Sequence, residues 1–245
     1  MRISLELVPR NKESILDEAE KISKNLKKVT AINIPDLLRF DLRSWVACGY
    51  VKPFFDNAIP HIRAVDIDLN EQLPMANFLI ENHLKEIVLI TGDIPQDMSR
   101  KVYPSDIFEV IKKFKKEIPS IKIYGALDPY RQGIHKELDY ARAKIDAGAD
   151  GFFTQPFFDI RLFDIYSELL RSYDVFWGVS PVLTMNSKSY WETRNKAVFP
   201  KDFTPTLSWN RDFSKSVLSR IASVNGNAYF MPIKASVLDC FEGIL

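Results

Sequence analysis

The chain has 245 residues, of which 46% are hydrophobic and 27% charged, and its formal net charge is +1. This length suits one (β/α)8 barrel, and the composition supports a large folded core and argues against disorder. The nearly balanced charge gives no electrostatic case for binding nucleic acid or an anionic membrane surface.

The two cysteines, Cys48 and Cys240, lie far apart and outside any CxxC or HxxxH pattern. This spacing argues against a zinc site and against a disulfide framework, so we expect no metal. The N-terminus enters a strand-like run without the features of a signal peptide, and no stretch of 18 apolar residues occurs. We therefore expect a cytoplasmic protein that does not span a membrane.

Short apolar runs alternate with longer amphipathic segments along the whole sequence. Apolar runs of this length are typical of parallel strands that are covered on both faces. The predicted strands are Arg2–Val8, Lys28–Ile34, His61–Ile67, Glu86–Thr91, Ile121–Leu127, Gly151–Gln155, Val175–Ser180 and Ala228–Pro232.

The segments between these runs have helical periodicity, for example Ser14–Leu26 and Ser105–Phe114. Eight β–α alternations are compatible with a closed barrel or with an open doubly wound sheet. The chain has only nine glycines and no GxGxxG after its first strand, which disfavours a nucleotide-binding doubly wound fold. The prediction is an α/β protein with a single (β/α)8 TIM barrel domain over residues 1–245.

Several polar residues stand at the predicted carboxyl ends of the strands, where a barrel carries its active site. The most informative are Glu6, Asp93 and Gln155. Each has a plain structural alternative: a buried ion pair for Glu6, a turn and helix cap for Asp93, and a loop brace for Gln155. His61 opens the predicted third strand, and register alone would put it at the opposite end of the barrel.

These residues belong to segments that resemble the flavin-dependent methylenetetrahydrofolate reductases, in the form of the bacterial catalytic barrel. Residues 4–9, SLELVP, resemble the family's SFEFFPP signature, and residues 91–95, TGDIP, its RGDxP loop. Residues 103–106, YPSD, are similar to YASDL. Residues 144–149, KIDAGA, with 154–159, TQPFFD, resemble the KxDAGAxxxxTQxFFD block, which is the most specific match. Residues 178–182, GVSPV, are similar to GIxPV, and the order of these segments extends the resemblance over the whole chain.

The resemblance implies reduction of 5,10-methylenetetrahydrofolate to 5-methyltetrahydrofolate, or the reverse, with hydride carried by FAD and supplied by NADH or another donor. It implies that Glu6 is the general acid and that Asp93 contacts both flavin and pterin. Burial and the carboxylate of Asp93 would both raise the pKa of Glu6. Gln155 would bind the pterin, Trp191 would stack on the substrate or the nicotinamide, and Lys234 would meet the carboxylated tail of folate.

The resemblance also implies a set of FAD contacts: His61, Asp93, Tyr103 and Lys144. The sequence departs from the family at this side of the site. Thr91 replaces the arginine before Gly-Asp, and Leu127 replaces a flavin-stacking tyrosine unless Tyr130 substitutes for it. Arg131 is a candidate for a replaced phosphate contact. The folate side is therefore better retained than the flavin side.

Two other functions stay open at this level. Lys144 or Lys234 could form a Schiff base, as in barrel aldolases and lyases. The chain could also be a divergent folate-binding barrel without flavin, or a non-catalytic subunit of a one-carbon complex. The sequence leaves open whether the chain forms a homo-oligomer.

Overall fold

The computed structural model describes residues 1–95, 100–233 and 235–245 and contains a closed barrel of eight parallel strands in the order β1 to β8. The strands are β1 Ile3–Glu6, β2 Ala31–Ile34, β3 Asn57–Arg63, β4 Glu86–Ile90, β5 Lys122–Leu127, β6 Gly151–Pro156, β7 Asp174–Val179 and β8 Asn227–Phe230. Pairing of β1 with β8, with Ser4 opposite Tyr229, closes the sheet. The predicted (β/α)8 fold is confirmed.

Helices follow the strands around the outside of the barrel. They are α1 Lys12–Asn25, α2 Ser44–Val51, α3 Ala76–Glu81, α4 Ile107–Glu117, α5 Ile134–Asp146, α6 Ile160–Leu169, α7 Met185–Arg194, α8 Leu207–Ser223 and α9 Val237–Phe241, with a short 3-10 turn at Ala64–Asp66. Side chains cap several of them: Asn11 Oδ1 accepts from the Ser14 amide, and Asp106 Oδ1 accepts from the Phe108 amide, which satisfies first-turn donors. None of the described helices combines the length and the apolarity needed to cross a bilayer.

The third strand begins earlier than the sequence predicted. It starts at Asn57 and includes Pro60, so His61 is its fifth residue and lies toward the carboxyl end. The prediction that His61 opens the strand was therefore wrong. Pro60 lies inside the strand and pairs with Ile34, the last residue of β2.

Side chains alternate between two hydrophobic layers, as the period of a strand requires. Leu5, Ile32 and Ile123 point outward and pack under the helices. Ile59, Tyr124, Phe153, Phe176 and Tyr229 fill the barrel interior, where Phe153 stacks on Phe176 with ring centroids 4.3 Å apart.

An ion-pair network closes the amino-terminal end of the barrel. Arg2 Nη1 donates to Glu86 Oε1 at 2.8 Å, and Tyr124 Oη donates to Asp174 Oδ2 at 3.0 Å. Lys122 Nζ also donates to Asp174, at 2.6 Å. These contacts satisfy the polar groups at that end, so interior chemistry is directed toward the carboxyl end.

Candidate functional site

Glu6 is the last residue of β1, and its side chain enters the barrel interior because its neighbour Leu5 packs outward. Tyr229 Oη donates a hydrogen bond to Glu6 Oε2. Burial raises the pKa of Glu6 to about 7, and the Tyr229 hydrogen bond opposes that rise. The carboxylate of Asp93 is not among the causes, so the expected like-charge contribution is absent. Glu6 can therefore hold a proton near neutral pH without a second carboxylate.

A buried polar chain lies beside this carboxyl group. Asn33 Nδ2 donates to Ser4 Oγ at 2.8 Å, and its Oδ1 lies 3.0 Å from His61 Nε2. Asn33 thus uses its oxygen to accept from His61, which fixes the hydrogen on Nε2. Burial lowers the pKa of His61 to about 3, so this imidazole is neutral at working pH.

Asp93 lies in an exposed turn after β4, and a buried arginine of β3 holds that turn. Arg63 is 2% exposed and donates through Nη2 to the backbone oxygen of Asp93. Gly92 has φ +87°, and a Cβ there would stand 2.9 Å from Arg63 Cβ and Nε. Only glycine therefore suits this position. The turn places the exposed Asp93 just beyond the carboxyl end of β4.

Gln155 stands at the end of β6, where the register with β7 shifts between Phe153 and Pro156. The preceding Thr154 ties the two strands, since its Oγ1 accepts from the Gly178 amide at 2.8 Å. Gln155 itself is half-buried, and its side-chain amide makes no hydrogen bond within the described parts of the chain. A side-chain amide that has no protein partner at the open end of a barrel is better suited to binding a ligand than to bracing a loop.

Trp191 is on α7 and is 4% exposed. Its ring packs against Phe158 with centroids 5.1 Å apart, and Phe158 in turn stacks on Phe199 at 4.5 Å. The aromatic cluster of Phe158, Trp191 and Phe199 covers one side of the interior. The proposed stacking of Trp191 on a ligand stays a prediction.

The β5 side of the mouth has its polar groups bonded to the protein. Arg131 Nη2 lies 2.9 and 2.8 Å from the two carboxylate oxygens of Glu137, which is fully buried. Gln132 Nε2 donates to the same carboxylate at 2.8 Å. Tyr130 Oη donates to the Pro156 carbonyl at 3.0 Å. Leu127 packs outward under the helices, 1% exposed.

Lys144 lies behind β5 and does not face the interior. Its Nζ donates to the Ala126 carbonyl, its stem passes 2.8 Å from the Cβ position of Gly125, and its amine lies 4.2 Å from the Tyr140 ring centroid. Burial lowers the pKa of Lys144 to about 8. A Schiff-base lysine must reach substrate at the mouth, so this placement disfavours the aldolase alternative for Lys144.

The structure thus brings Glu6 close to Tyr229 and His61, and separates Arg131 and Lys144 from them. Tyr103 lies on the β4 side, where its amide donates to the Val65 carbonyl at 2.8 Å. Lys234 lies outside the described residues.

Sequence reasoning missed Tyr229, Arg63 and Glu137. Strand alternation on β8 would have placed Tyr229 inside the barrel, but its contact with Glu6 depends on β1–β8 closure. Arg63 and Glu137 follow from no local pattern, because their partners belong to other elements.

Comparison with known proteins places the chain in a family. The sequence model of the methylenetetrahydrofolate reductases matches residues 46–215, more than half of the chain. The 5,10-methylenetetrahydrofolate reductase of Buchnera aphidicola (subsp. Schizaphis graminum) is 31% identical over 102 residues, which are 41% of this chain and 35% of the relative. The Escherichia coli K12 enzyme is 29% identical over 104 residues, 42% and 35% of the two chains. The matches thus span about a third of the length of these relatives.

Among solved structures, the barrel is similar to an uncharacterised protein from Clostridium thermocellum that binds two copies of 5-methyl-5,6,7,8-tetrahydrofolic acid. The TM-score is 0.63 at 12% identity, over 96% of this chain and 89% of the other, which is a likeness of fold. The family match of residues 46–215 includes Asp93, Gln155 and the aromatic cluster, whereas Glu6 and Tyr229 lie outside it. The chain belongs to the methylenetetrahydrofolate reductase family.

Proposed function

We propose that this chain reduces the methylene bridge of 5,10-methylenetetrahydrofolate to a methyl group, with Glu6 as the general acid. The observation that carries the proposal is a carboxyl group inside the barrel with a pKa of about 7. A general acid works best when its pKa lies near the operating pH. An ordinary surface glutamate, with a pKa near 4.5, would hold almost no proton there.

In the proposed reaction, Glu6 transfers its proton to the bridge nitrogen that leaves. The carbon–nitrogen bond breaks, and the remaining nitrogen shares its lone pair with the carbon to give an iminium. A hydride then adds to that carbon and completes the methyl group. Glu6 is left as a carboxylate, and the hydroxyl of Tyr229 donates to the new charge. A proton from solvent restores the acid.

The pterin is the substrate part that Gln155 suits. Its amide carries one acceptor and two donors, which match a planar heterocycle edge in a two-point contact. The lack of a protein partner for this amide within the described residues supports that role. A folate that spans from Gln155 toward Glu6 would expose its bridge to the acid.

The proposed hydride carrier is a reduced flavin, and the described residues fit it on the β4 side only. Asp93 and Tyr103 offer a carboxylate and a phenol there, suited to ring and ribose groups. On the β5 side, Tyr130, Arg131 and Lys144 have their polar atoms bonded within the protein. When bound, the flavin supplies the hydride, and this chain supplies the proton and the orientation of the substrate.

The test is to replace Glu6 by Gln, which keeps the shape but cannot donate a proton. The protein is incubated with FAD, NADH and 5,10-methylenetetrahydrofolate, and 5-methyltetrahydrofolate is quantified by chromatography. General acid catalysis is worth ~10²–10⁴-fold, and Glu6→Gln should lose that factor. Reduction of FAD by NADH needs no such acid and should stay within a few-fold of the parent protein.

Glu86→Gln is the matched control. It also removes a carboxylate from the barrel, but at the closed amino-terminal end beside Arg2. Product formation should then change little even if the melting temperature falls. Equal rates for Glu6→Gln and the parent protein would remove Glu6 from the mechanism, and no product from the parent would refute the proposed function.

A further inference from the structure

Tyr229 makes the one side-chain hydrogen bond that Glu6 receives within the described parts of the chain. Its ring is 3% exposed and is held between His61 and Phe153, with ring centroids 6.4 and 5.2 Å away. Burial raises the pKa of the Tyr229 hydroxyl well above its ordinary value. The phenol is therefore a hydrogen-bond donor to Glu6 at every working pH.

This contact distinguishes the two oxygens of the Glu6 carboxyl group. Oε2 accepts from Tyr229, and the carbonyl oxygen of an acid is its better acceptor. The acidic proton of Glu6 therefore sits on Oε1, the oxygen that Tyr229 does not cap. Without the hydroxyl, no side-chain hydrogen bond from the described residues would distinguish the two oxygens, and the proton would be shared between them.

We propose that Tyr229 is a positioning residue that directs the acidic proton of Glu6 onto Oε1 and stabilises the carboxylate left after proton transfer. The inference rests on the proposed role of Glu6. It assigns to Tyr229 two separable effects, one on the orientation of the acid and one on its charged form.

Within residues 1–95, 100–233 and 235–245, few other groups near the pair titrate or carry charge. His61 of β3 faces Tyr229 and is neutral, and Asn33 of β2 has no ionisable group. Asp93, beyond the end of β4, is not among the groups that shift the pKa of Glu6. Arg2, Glu86 and Asp174, which belong to the ion-pair network, lie at the closed end. A change in the titration of Glu6 on loss of the hydroxyl is therefore attributable to Tyr229.

The test compares Tyr229→Phe with Tyr124→Phe over pH 5–9. Both substitutions delete a phenol hydroxyl inside the barrel, but Tyr124 bonds to Asp174 at the other end. In the parent protein, product formation should fall as pH rises through about 7, because Glu6 loses its proton there. Tyr229→Phe removes a hydrogen bond that favours the carboxylate. The falling limb of the plot of product formation against pH should therefore move up by about one to two pH units.

At pH values below this falling limb, Tyr229→Phe should also lower kcat several-fold, because the acidic proton of Glu6 is no longer oriented, and KM should change little. Tyr124→Phe should leave the limb in place. Tyr229→Leu, which also lacks the hydroxyl, should show the same limb as Tyr229→Phe. A limb at the parent position in either Tyr229 variant would overturn the proposal, since a merely structural tyrosine would change stability alone.

A second measurement separates this inference from the proposed function. The carboxyl band of Glu6 can be titrated by infrared spectroscopy in ligand-free protein, with Glu6→Gln subtracted to isolate it. A band that titrates near pH 7 and moves upward in Tyr229→Phe supports the pair even in a protein that makes no product. An unmoved band would overturn the inference, whatever the activity.

Discussion

The two sides of the barrel mouth differ in how their buried carboxyl groups are hydrogen-bonded. On the β1–β8 side, Glu6 has no cation beside it among the described residues, and its one side-chain partner there is the neutral donor Tyr229. On the β5 side, the carboxylate of Glu137 is fully buried and is satisfied by Arg131, Gln132 and the Asp128 amide. The carboxyl group of Glu6 has its pKa raised to about 7, whereas that of Glu137 is paired with Arg131.

This difference indicates which residues are available for chemistry. The Glu137 carboxylate receives hydrogen bonds on both oxygens from Arg131 Nη2 and is a structural link, because a ligand would have to break these bonds. A buried acid whose pKa lies near neutrality costs stability at higher pH, and such a cost is typical of functional sites. We therefore propose that the active site lies on the β1–β8 side and that the β5 side has a structural role.

The largest effect that would sharpen this comparison is on stability. The pKa of Glu6 rises from an ordinary value of 4.5 to about 7 on folding. Its protonated form therefore stabilises the fold fully below pH 4.5, and that contribution is lost as pH rises through 7. Since one pKa unit corresponds to about 1.4 kcal/mol, the loss approaches about 3 kcal/mol above pH 8.

Glu6→Gln does not titrate, so relative to the parent it should gain about this free energy of unfolding between pH 4.5 and 8. Denaturant unfolding at both pH values measures the change. His61 titrates in both proteins and cancels from the difference. A difference between variant and parent that is independent of pH would show that Glu6 is not a strained acid.

The next effect concerns Gln155, whose amide lacks a protein partner in the described regions. Gln155→Ala should weaken binding of 5-methyltetrahydrofolate by about 1–3 kcal/mol, the cost of one unmade buried hydrogen bond. The melting temperature of the ligand-free protein should not change. Calorimetric titration and thermal melting measure the two quantities.

Gln132→Ala is the matched control, because that amide donates to Glu137 and braces the β5 loop. It should lower the melting temperature and leave folate affinity intact. If Gln155→Ala behaves like Gln132→Ala, then Gln155 is a brace as well.

The sequence predicted the barrel because eight apolar runs with a fixed alternation leave few alternatives. It placed Glu6, Asp93 and Gln155 at strand ends for the same reason, since local pattern fixes where a strand stops. His61 was misplaced because β3 begins four residues earlier than predicted, at Asn57. In each case the outcome depended on signals within a few residues.

What the sequence could not predict depends on contacts between distant elements. Tyr229 reaches Glu6 across 223 positions of sequence. The resemblance made Arg131 a candidate for a replaced phosphate contact, but α5 places the carboxylate of Glu137 against it. Whether a polar side chain is available or already bonded is a property of packing, which period and spacing do not report.

The smallest expected effect is therefore on flavin affinity at Arg131. Its guanidinium is 42% exposed, but its partner Glu137 is fully buried, so Arg131→Gln should lower the free energy of unfolding by about 3 kcal/mol. Because that guanidinium is already paired, FAD affinity should change less than twofold, as measured by fluorescence quenching of the flavin. Arg161→Gln is the control for general loss of an arginine. It breaks a more exposed pair with Asp159, the N-cap of α6, and should affect stability even less.

A tenfold loss of FAD affinity in Arg131→Gln with unchanged stability would show that the arginine leaves Glu137 to bind phosphate, and the β5 side would then belong to the site. A parent protein that binds no FAD at all would instead refute the flavin as hydride carrier.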